Sequence, residues 1–441
     1  MSARKDQRPF FSTALFTLLG RSAGFFIPFL IAFYFGITPE TDAFFFAYTL
    51  LIFLTELSTQ IFESVLVPYL AEHKKNPETV SHFANGVVLV SLPFVAIICF
   101  AIYFLSPSLL IQWSRWNPST ALLSGKLFLA MTPLFFLNLW SSALNGIFYT
   151  HKIFWYPALS PLIRSLWAIL FLWMGHLKFG ILLLSLGLVV GEAVRLLVAI
   201  LLSIRLRLWV FQIRWEAASS SLKDFLAKAP LQIFAVTAVL LAPVVNQGFA
   251  ASLGAGSVSL LSYAERLLLV PYQLFIGGFL QIFLSDWSEG YYAESGVSFW
   301  PKVKRDIRNS FLLALAFSLI LWAFQSPIVR GIYGHGGIGE EELSLLRGIF
   351  GWLAIGFAPA VINLLYIRTL FVLKRASFYN LQSWVKLFLH GILNYFLMQL
   401  YGVKGIAIAT SIVYILMGLW IHLYLKGFAN EKREAPKYGA H

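Results

Sequence analysis

The sequence has a single cysteine, Cys99, among 441 residues. Disulfides within the chain are excluded, and so is any metal site built on cysteine pairs. Cys99 lies in an apolar run and reads as a packed small hydrophobe. Charge is also scarce. Asp, Glu, Lys and Arg make up 12% of the chain, against about 25% in a soluble domain. There is no P-loop, no HExxH, no His/Cys cluster with metal-ligand spacing and no Gly-x-Ser-x-Gly elbow. These absences leave no enzyme constellation, no expected cofactor and no nucleotide motif for a pump. Alternating polar and apolar runs are missing too, which disfavours a β-barrel.

What fills the space is hydrophobicity. The chain is 59% apolar, with a mean hydropathy of +0.76. A spanning helix needs about 20 mainly apolar residues. Twelve stretches qualify: about 10–35, 43–70, 83–105, 122–149, 154–175, 179–204, 230–253, 257–285, 309–329, 344–372, 379–400 and 405–426. The expected fold class is an all-α polytopic membrane protein. Pro28, Pro93, Pro133, Pro161, Pro243, Pro271 and Pro359 are the expected kinks. The net charge of +13 follows the loops of one membrane side, which is a topology signal and not a nucleic-acid groove. Lys152, Arg205, Arg207, Arg308, Lys374 and Arg375 fall on that side. The sparser Arg115, Lys126, Lys178, Arg330, Arg347 and Lys404 fall on the other. Both termini are therefore expected in the cytoplasm.

The longest basic connection, 206–229, mixes Trp and Arg and suits an interfacial linker on an anionic leaflet. It divides the spans six and six. The expected domains are a six-helix lobe over 1–205, a second over 230–428, and a polar tail over 429–441. The halves also resemble each other. Asn138 and Asn363 each precede a similar helix–turn–helix, and 35–48 parallels 253–264. An even number of helices per half gives repeats of one orientation, related by an axis along the membrane normal.

Ionisable residues inside the spans are few, and such residues mark pathways by default. They are Arg21, Glu56, Glu63, Arg164, Glu192, Arg195, Glu265, Arg266, Arg368, Lys386 and His390, with Asp42 at the outer mouth. Glu192 and Arg195 are three apart on one face and read as a structural pair. Arg368 is placed to snorkel to the inner surface. Lys386 and His390, one turn apart, fit an interior pair or a functional one equally. Arg21 and Arg266 are deep, with no acid one turn away on their own helices. Glu265 points about 100° away from Arg266. A guanidinium suits phosphate oxygens through planar, paired donors. Arg21 and Arg266, in different halves, thus suggest an anionic substrate.

Several segments resemble the MurJ/MviN family of lipid II flippases, within the multidrug/oligosaccharidyl-lipid/polysaccharide exporter superfamily. They are the first helix with F-G-I-T-P-E-T-D-A-F-F-F-A-Y, V-P-Y-L-A-E at 67–72 and Y-P-A-L-S-P-L-I at 156–163. A-S-L-G-A-G-S-V-S-L-L-S-Y-A-E-R-L at 251–267 and V-R-G-I-Y-G-H-G-G at 329–337 complete the set. The resemblance implies two six-helix lobes around a central cationic cavity. The implied cargo is undecaprenyl-diphosphate carrying a saccharide, with cell-wall synthesis proteins as partners. Arg21 matches the family's first-helix arginine, Asp42 its DAF aspartate, and Glu265–Arg266 its helix-eight Asp-Arg pair. A second family arginine is replaced here by Ile27, and an Arg-Arg pair by the Thr55–Glu56 region.

The expected function is flipping of a polyprenyl-diphosphate-linked saccharide, lipid II first, by alternating access in the bacterial inner membrane. Arg21, Arg266 and Glu265 would hold the diphosphate. Asp42, Glu56 and Glu63 would gate or couple, with Arg164 and Lys386 as secondary sites. A cation or the membrane potential would supply the drive. The rival readings are an exporter of O-antigen or capsule precursors, a drug or metabolite antiporter using Glu56 and Glu63, and a transport-inactive scaffold.

Overall fold

The computed structural model describes residues 8–72, 76–212, 215–275 and 299–434, together with Phe283, Trp287 and Tyr291. The end of the 257–285 span, two linker residues at 213–214 and the tail from 435 lie outside the described residues. Within them every regular element is helical.

The chain runs α1 (Arg8–Phe35), α2 (Pro39–Ile61), a π-turn (Phe62–Leu66), α3 (Val67–Glu72), α4 (Pro77–Trp113), α5 (Pro118–Thr150), α6 (Trp155–Leu159), α7 (Pro161–Phe179) and α8 (Leu182–Arg205). It continues with α9 (Trp215–Leu253), α10 (Ser257–Phe275), α11 (Phe299–Ala323), α12 (Gln325–Tyr333), α13 (Glu340–Val372), α14 (Ala376–Tyr401) and α15 (Val403–Glu434). In lipid each backbone polar group needs an internal partner, and a helix supplies it within one segment. Pro161 does more than kink its span: it opens α7 after a break at Ser160, leaving α6 as a separate short helix.

Ten helices among the described residues are long and apolar enough to cross a membrane. Of the other two expected spans, 257–285 is described only as far as Phe275, as α10. The other, α14, falls short by composition, because it carries Lys386, His390 and Asn394.

Two compact units divide the chain, Met1–Ser259 and Leu260–His441. In the first, α5 packs on α2, α4 and α8, α7 lies along α8, and α9 packs on α2 and α4. In the second, α13 packs against α11 and α15, and α14 lies along α15. Phe94, Ile97, Phe100 and Phe104 of α4 leave large rings and branches exposed, as do Leu312, Leu319 and Ile320 of α11. Such surface belongs against lipid tails.

The basic connection after α8 has a defined course. Trp209 is buried, and its indole N–H donates to Asn85 Oδ1 at 2.8 Å. Asn85 Nδ2 donates to the carbonyls of Val210 and Gln212, each at 3.0 Å. Val210 N–H donates to Ser81 Oγ at 3.1 Å, and His82 Nδ1 lies 2.9 Å from Gln212 O. Residues 208–212 thus form a strap pinned to α4. From Trp215 the chain is already helical and runs without a break into the apolar part of α9.

Candidate functional site

The turn between α1 and α2 is built for a sharp restart. Thr38 is the N-cap and Pro39 follows at the first helical position, where its missing N–H costs nothing. Thr41 N–H donates to Thr38 Oγ1 at 3.3 Å, and Thr38 N–H donates to Thr41 Oγ1 at 2.9 Å. The next residue, Asp42, is fully buried. Its Oδ2 accepts from Gly256 N–H at 2.5 Å and its Oδ1 from Ser259 N–H at 2.8 Å. Ser259 Oγ lies 2.6 Å from Asp42 Oδ1 and 2.8 Å from Thr41 Oγ1. The carboxylate therefore caps the first turn of α10, where orphan N–H groups and the helix dipole both favour an anion. Glycine is required at 256. Its φ is +83°, and a Cβ there would sit 2.8 Å from Ile37 Cγ2. This closes a latch between the starts of α2 and α10.

Deeper in the first unit, Arg21 stands on α1, exposed although its helix is apolar. A close helix approach fixes its place. A Cβ on the preceding Gly20 would collide with the carbonyl oxygen of Ala158 on α6. Glu56 on α2 and Glu63 in the π-turn are exposed as well. Glu63 lies within electrostatic range of both Glu56 and Arg21. Tyr149 of α5 lies within range of Glu63, Arg195 and Arg21. π-turns inside helices recur at functional sites because they re-aim side chains. Next to this group, Asn138 Nδ2 donates to Thr59 Oγ1 at 3.1 Å and so ties α5 to α2.

A second charged group in the same unit is closed. Glu192 Oε1 accepts from Ser141 Oγ at 2.8 Å, and Arg195 Nη1 reaches both carboxylate oxygens at 3.2 and 3.1 Å. Arg164 Nη1 approaches at 3.6 Å. Arg195 Nε donates to Ser160 Oγ at 3.0 Å, and Tyr156 hydroxyl donates to the Arg195 carbonyl at 2.5 Å. The expected Glu192–Arg195 pair is present, and Arg164 joins it from another helix.

In the second unit, Glu265 and Arg266 are half-buried neighbours on α10. Arg266 lies within electrostatic range of Tyr333, whose hydroxyl donates to the Tyr263 carbonyl at 3.0 Å. Glu265 lies within range of Tyr414 on α15. Lys386 Nζ sits 4.7 Å from the centre of that Tyr414 ring. Arg368 is half-buried near the end of α13, its Nε buried with no hydrogen-bond partner.

Gly256, Ser259, Arg164 as a partner of Glu192, and Tyr414 were not evident from the sequence as members of these groups. The glycine-serine turn at 253–259 carried a signal, because it parallels the 35–42 turn that holds Asp42.

A family model described as "Lipid II flippase MurJ" matches residues 31–435. A probable lipid II flippase MurJ of Buchnera aphidicola subsp. Acyrthosiphon pisum is 24% identical over 417 residues, covering 92% of this chain and 81% of the relative. The lipid II flippase MurJ of Burkholderia cenocepacia is 26% identical over 363 residues, 79% of this chain and 69% of the relative. A solved structure described as lipid II flippase MurJ in an inward closed conformation superposes with a TM-score of 0.81. It has 23% identity and covers 94% of this chain and 87% of that one, which establishes the fold.

Proposed function

The chain belongs to the lipid II flippase MurJ family, and on that premise we propose that it flips a polyprenyl-diphosphate-linked saccharide, lipid II, across the bacterial cytoplasmic membrane. It is a multi-pass membrane protein of a transporter family, and we read its termini as cytoplasmic. Arg21 is the observation that carries the proposal. An arginine at the centre of a membrane helix costs about 2.5–3.5 kcal/mol on insertion scales unless it meets a wet cavity or a partner. Here it is exposed beside Glu63, in a member of this family.

Arg21 offers a guanidinium to the diphosphate, and Arg266 is a separate candidate donor within its own unit. Phosphate oxygens accept paired N–H donors from such groups, and in a poorly hydrated site the gain offsets the cost of desolvation. Glu265 sets the local charge beside Arg266. Glu56 and Glu63 moderate the positive field around Arg21, so the head group is held without becoming trapped.

The Asp42 latch is the outer gate. Its two backbone N–H bonds and the Ser259 contact must break for the outer side to open. Membrane potential is one drive: a unit charge crossing it is worth about 2.3 kcal/mol per 100 mV.

A cell-depletion rescue tests the reading. Cells stripped of their own flippase and given this chain should regain growth and lose accumulated inner-leaflet lipid II. Membrane-inserted protein that leaves lipid II accumulated would sink the lipid II assignment and favour an O-antigen or capsule precursor.

A further inference from the structure

A polar stripe runs along one face of α14. Gln382, Lys386, His390 and Asn394 follow at four-residue spacing, so they stack on one side of the helix. At 1.5 Å rise per residue the stripe is about 18 Å long, over half the hydrocarbon thickness. Gln382, His390 and Asn394 are buried and Lys386 is half-buried. Polar groups inside the bilayer are expensive, and chains of them mark ion and proton routes.

The surroundings define what the stripe binds. From α15, the Tyr414 ring centre lies 4.7 Å from Lys386 Nζ, a cation–π contact, and 6.4 Å from the His390 ring. From α10, Glu265 and Tyr272 interact electrostatically with Tyr414. From α13, Arg368 acts on Tyr379, nearer the start of α14. No carboxylate stands within ion-pair distance of Lys386 among the described residues. His390 Nδ1 is buried without a hydrogen-bond partner. A metal cation would find an ammonium in its place and no acidic ligand beside it. The groups that remain are a lysine, an imidazole with an unused ring nitrogen and a π-face, and they handle protons.

We propose that Lys386 and His390 hold one exchangeable proton between them and form the proton-coupling site of the second unit. With the proton bound, the pair carries one positive charge, held as ammonium over the Tyr414 face. Its release to the open side leaves a neutral amine and a neutral imidazole. One proton is taken up and one given up, and no other bond changes. Two like charges one turn apart in low dielectric do not coexist cheaply, so the pair titrates as a unit. What this proton drives rests on the flippase reading, whereas the site itself does not.

The experiment is a pH step on protein reconstituted in a solid-supported membrane, without any lipid-linked saccharide. Wild type should give a transient charge displacement. Lys386→Arg keeps a positive charge and the ring contact but does not release a proton in this range, and should lose the displacement. The Lys386→Gln/His390→Asn double variant should lose it as well. Tryptophan-fluorescence melting identifies folded variants, and Lys386→Arg decides if the double variant does not fold. A wild type without displacement, or a Lys386→Arg protein that displaces charge like wild type, overturns the proposal in favour of a fixed structural cation. A parallel flipping assay with fluorescent lipid II under an imposed pH gradient separates the two readings. Displacement without flipping sinks the lipid II reading alone. Flipping without displacement sinks the proton site alone.

Discussion

Two charged groups of the first unit are built in opposite ways. Glu192 is wholly buried and surrounded by Ser141, Arg195 and Arg164, while Arg195 Nε donates to Ser160. Arg21, Glu56 and Glu63 are the same residue types, yet each stays exposed. Charge in a membrane span is therefore ambiguous by itself. Exposure separates them: the closed group is spent on holding helices together, and the exposed group is the one proposed above to meet a ligand.

Breaking the closed group should have the largest effect. Glu192→Ala leaves Arg195 and Arg164 facing a void in low dielectric. Removing one partner of a buried pair costs about 3–5 kcal/mol. Purified variant should melt well below wild type, and transport should fall only with the amount folded. A melting temperature equal to wild type would end the distinction between the groups. Arg21→Ala inverts the outcome. It should fold normally and lose cargo. Charged hydrogen bonds contribute roughly 1.5–3 kcal/mol, so affinity for the lipid diphosphate should fall by roughly 10- to 150-fold. Binding of fluorescent lipid II to the detergent-solubilised variant reads this directly. Unchanged binding would mean that Arg21 serves the fold.

The Asp42 latch lies between these extremes, buried like the first group and, like the second, given a part in transport by the proposal above. Asp42→Asn keeps the shape but turns one acceptor oxygen into an N–H₂ facing a backbone N–H. The expected cost is about 1–3 kcal/mol, the penalty for a buried donor left unmade. In a Cys99→Ala background, a Ser257→Cys reporter should then label faster with a membrane-impermeant maleimide. No change in labelling would show that the carboxylate's charge does not keep the latch shut.

What could be read from the sequence was whatever repeats along one helix. The spans are apolar runs, and the Glu192–Arg195 pair sits three residues apart on one face. What could not be read lies across helices. The partners of Asp42 are 214 and 217 residues away. Spacing predicts neither them nor the approach of Arg164 to Glu192, because both depend on how helices pack. The α14 stripe was half legible: Lys386 and His390 stand out as ionisable groups, but Gln382 and Asn394 look like ordinary polar residues until their burial shows that they face inward. The strap at 208–212 was hidden for another reason. Its composition fits a surface linker, and only the hydrogen bonds to α4 show that it is pinned.

That strap gives the smallest effect. A segment outside helix and sheet has backbone groups with no ladder to join, so side chains, local turns or water must satisfy them. Asn85 does most of this work, accepting from Trp209 and donating to two carbonyls. Asn85→Leu removes all three bonds. Val210 and Phe211 are already exposed beside them, so water replaces much of what is lost. The net cost should be near that of one ordinary hydrogen bond, about 1 kcal/mol, a shift in melting temperature far smaller than that of Glu192→Ala. Cargo binding should stay at the wild-type level, since neither Arg21 nor the latch touches the strap. A loss of binding in Asn85→Leu with melting intact would move the strap from the closed group to the open one, as a part that must move for the cargo to enter.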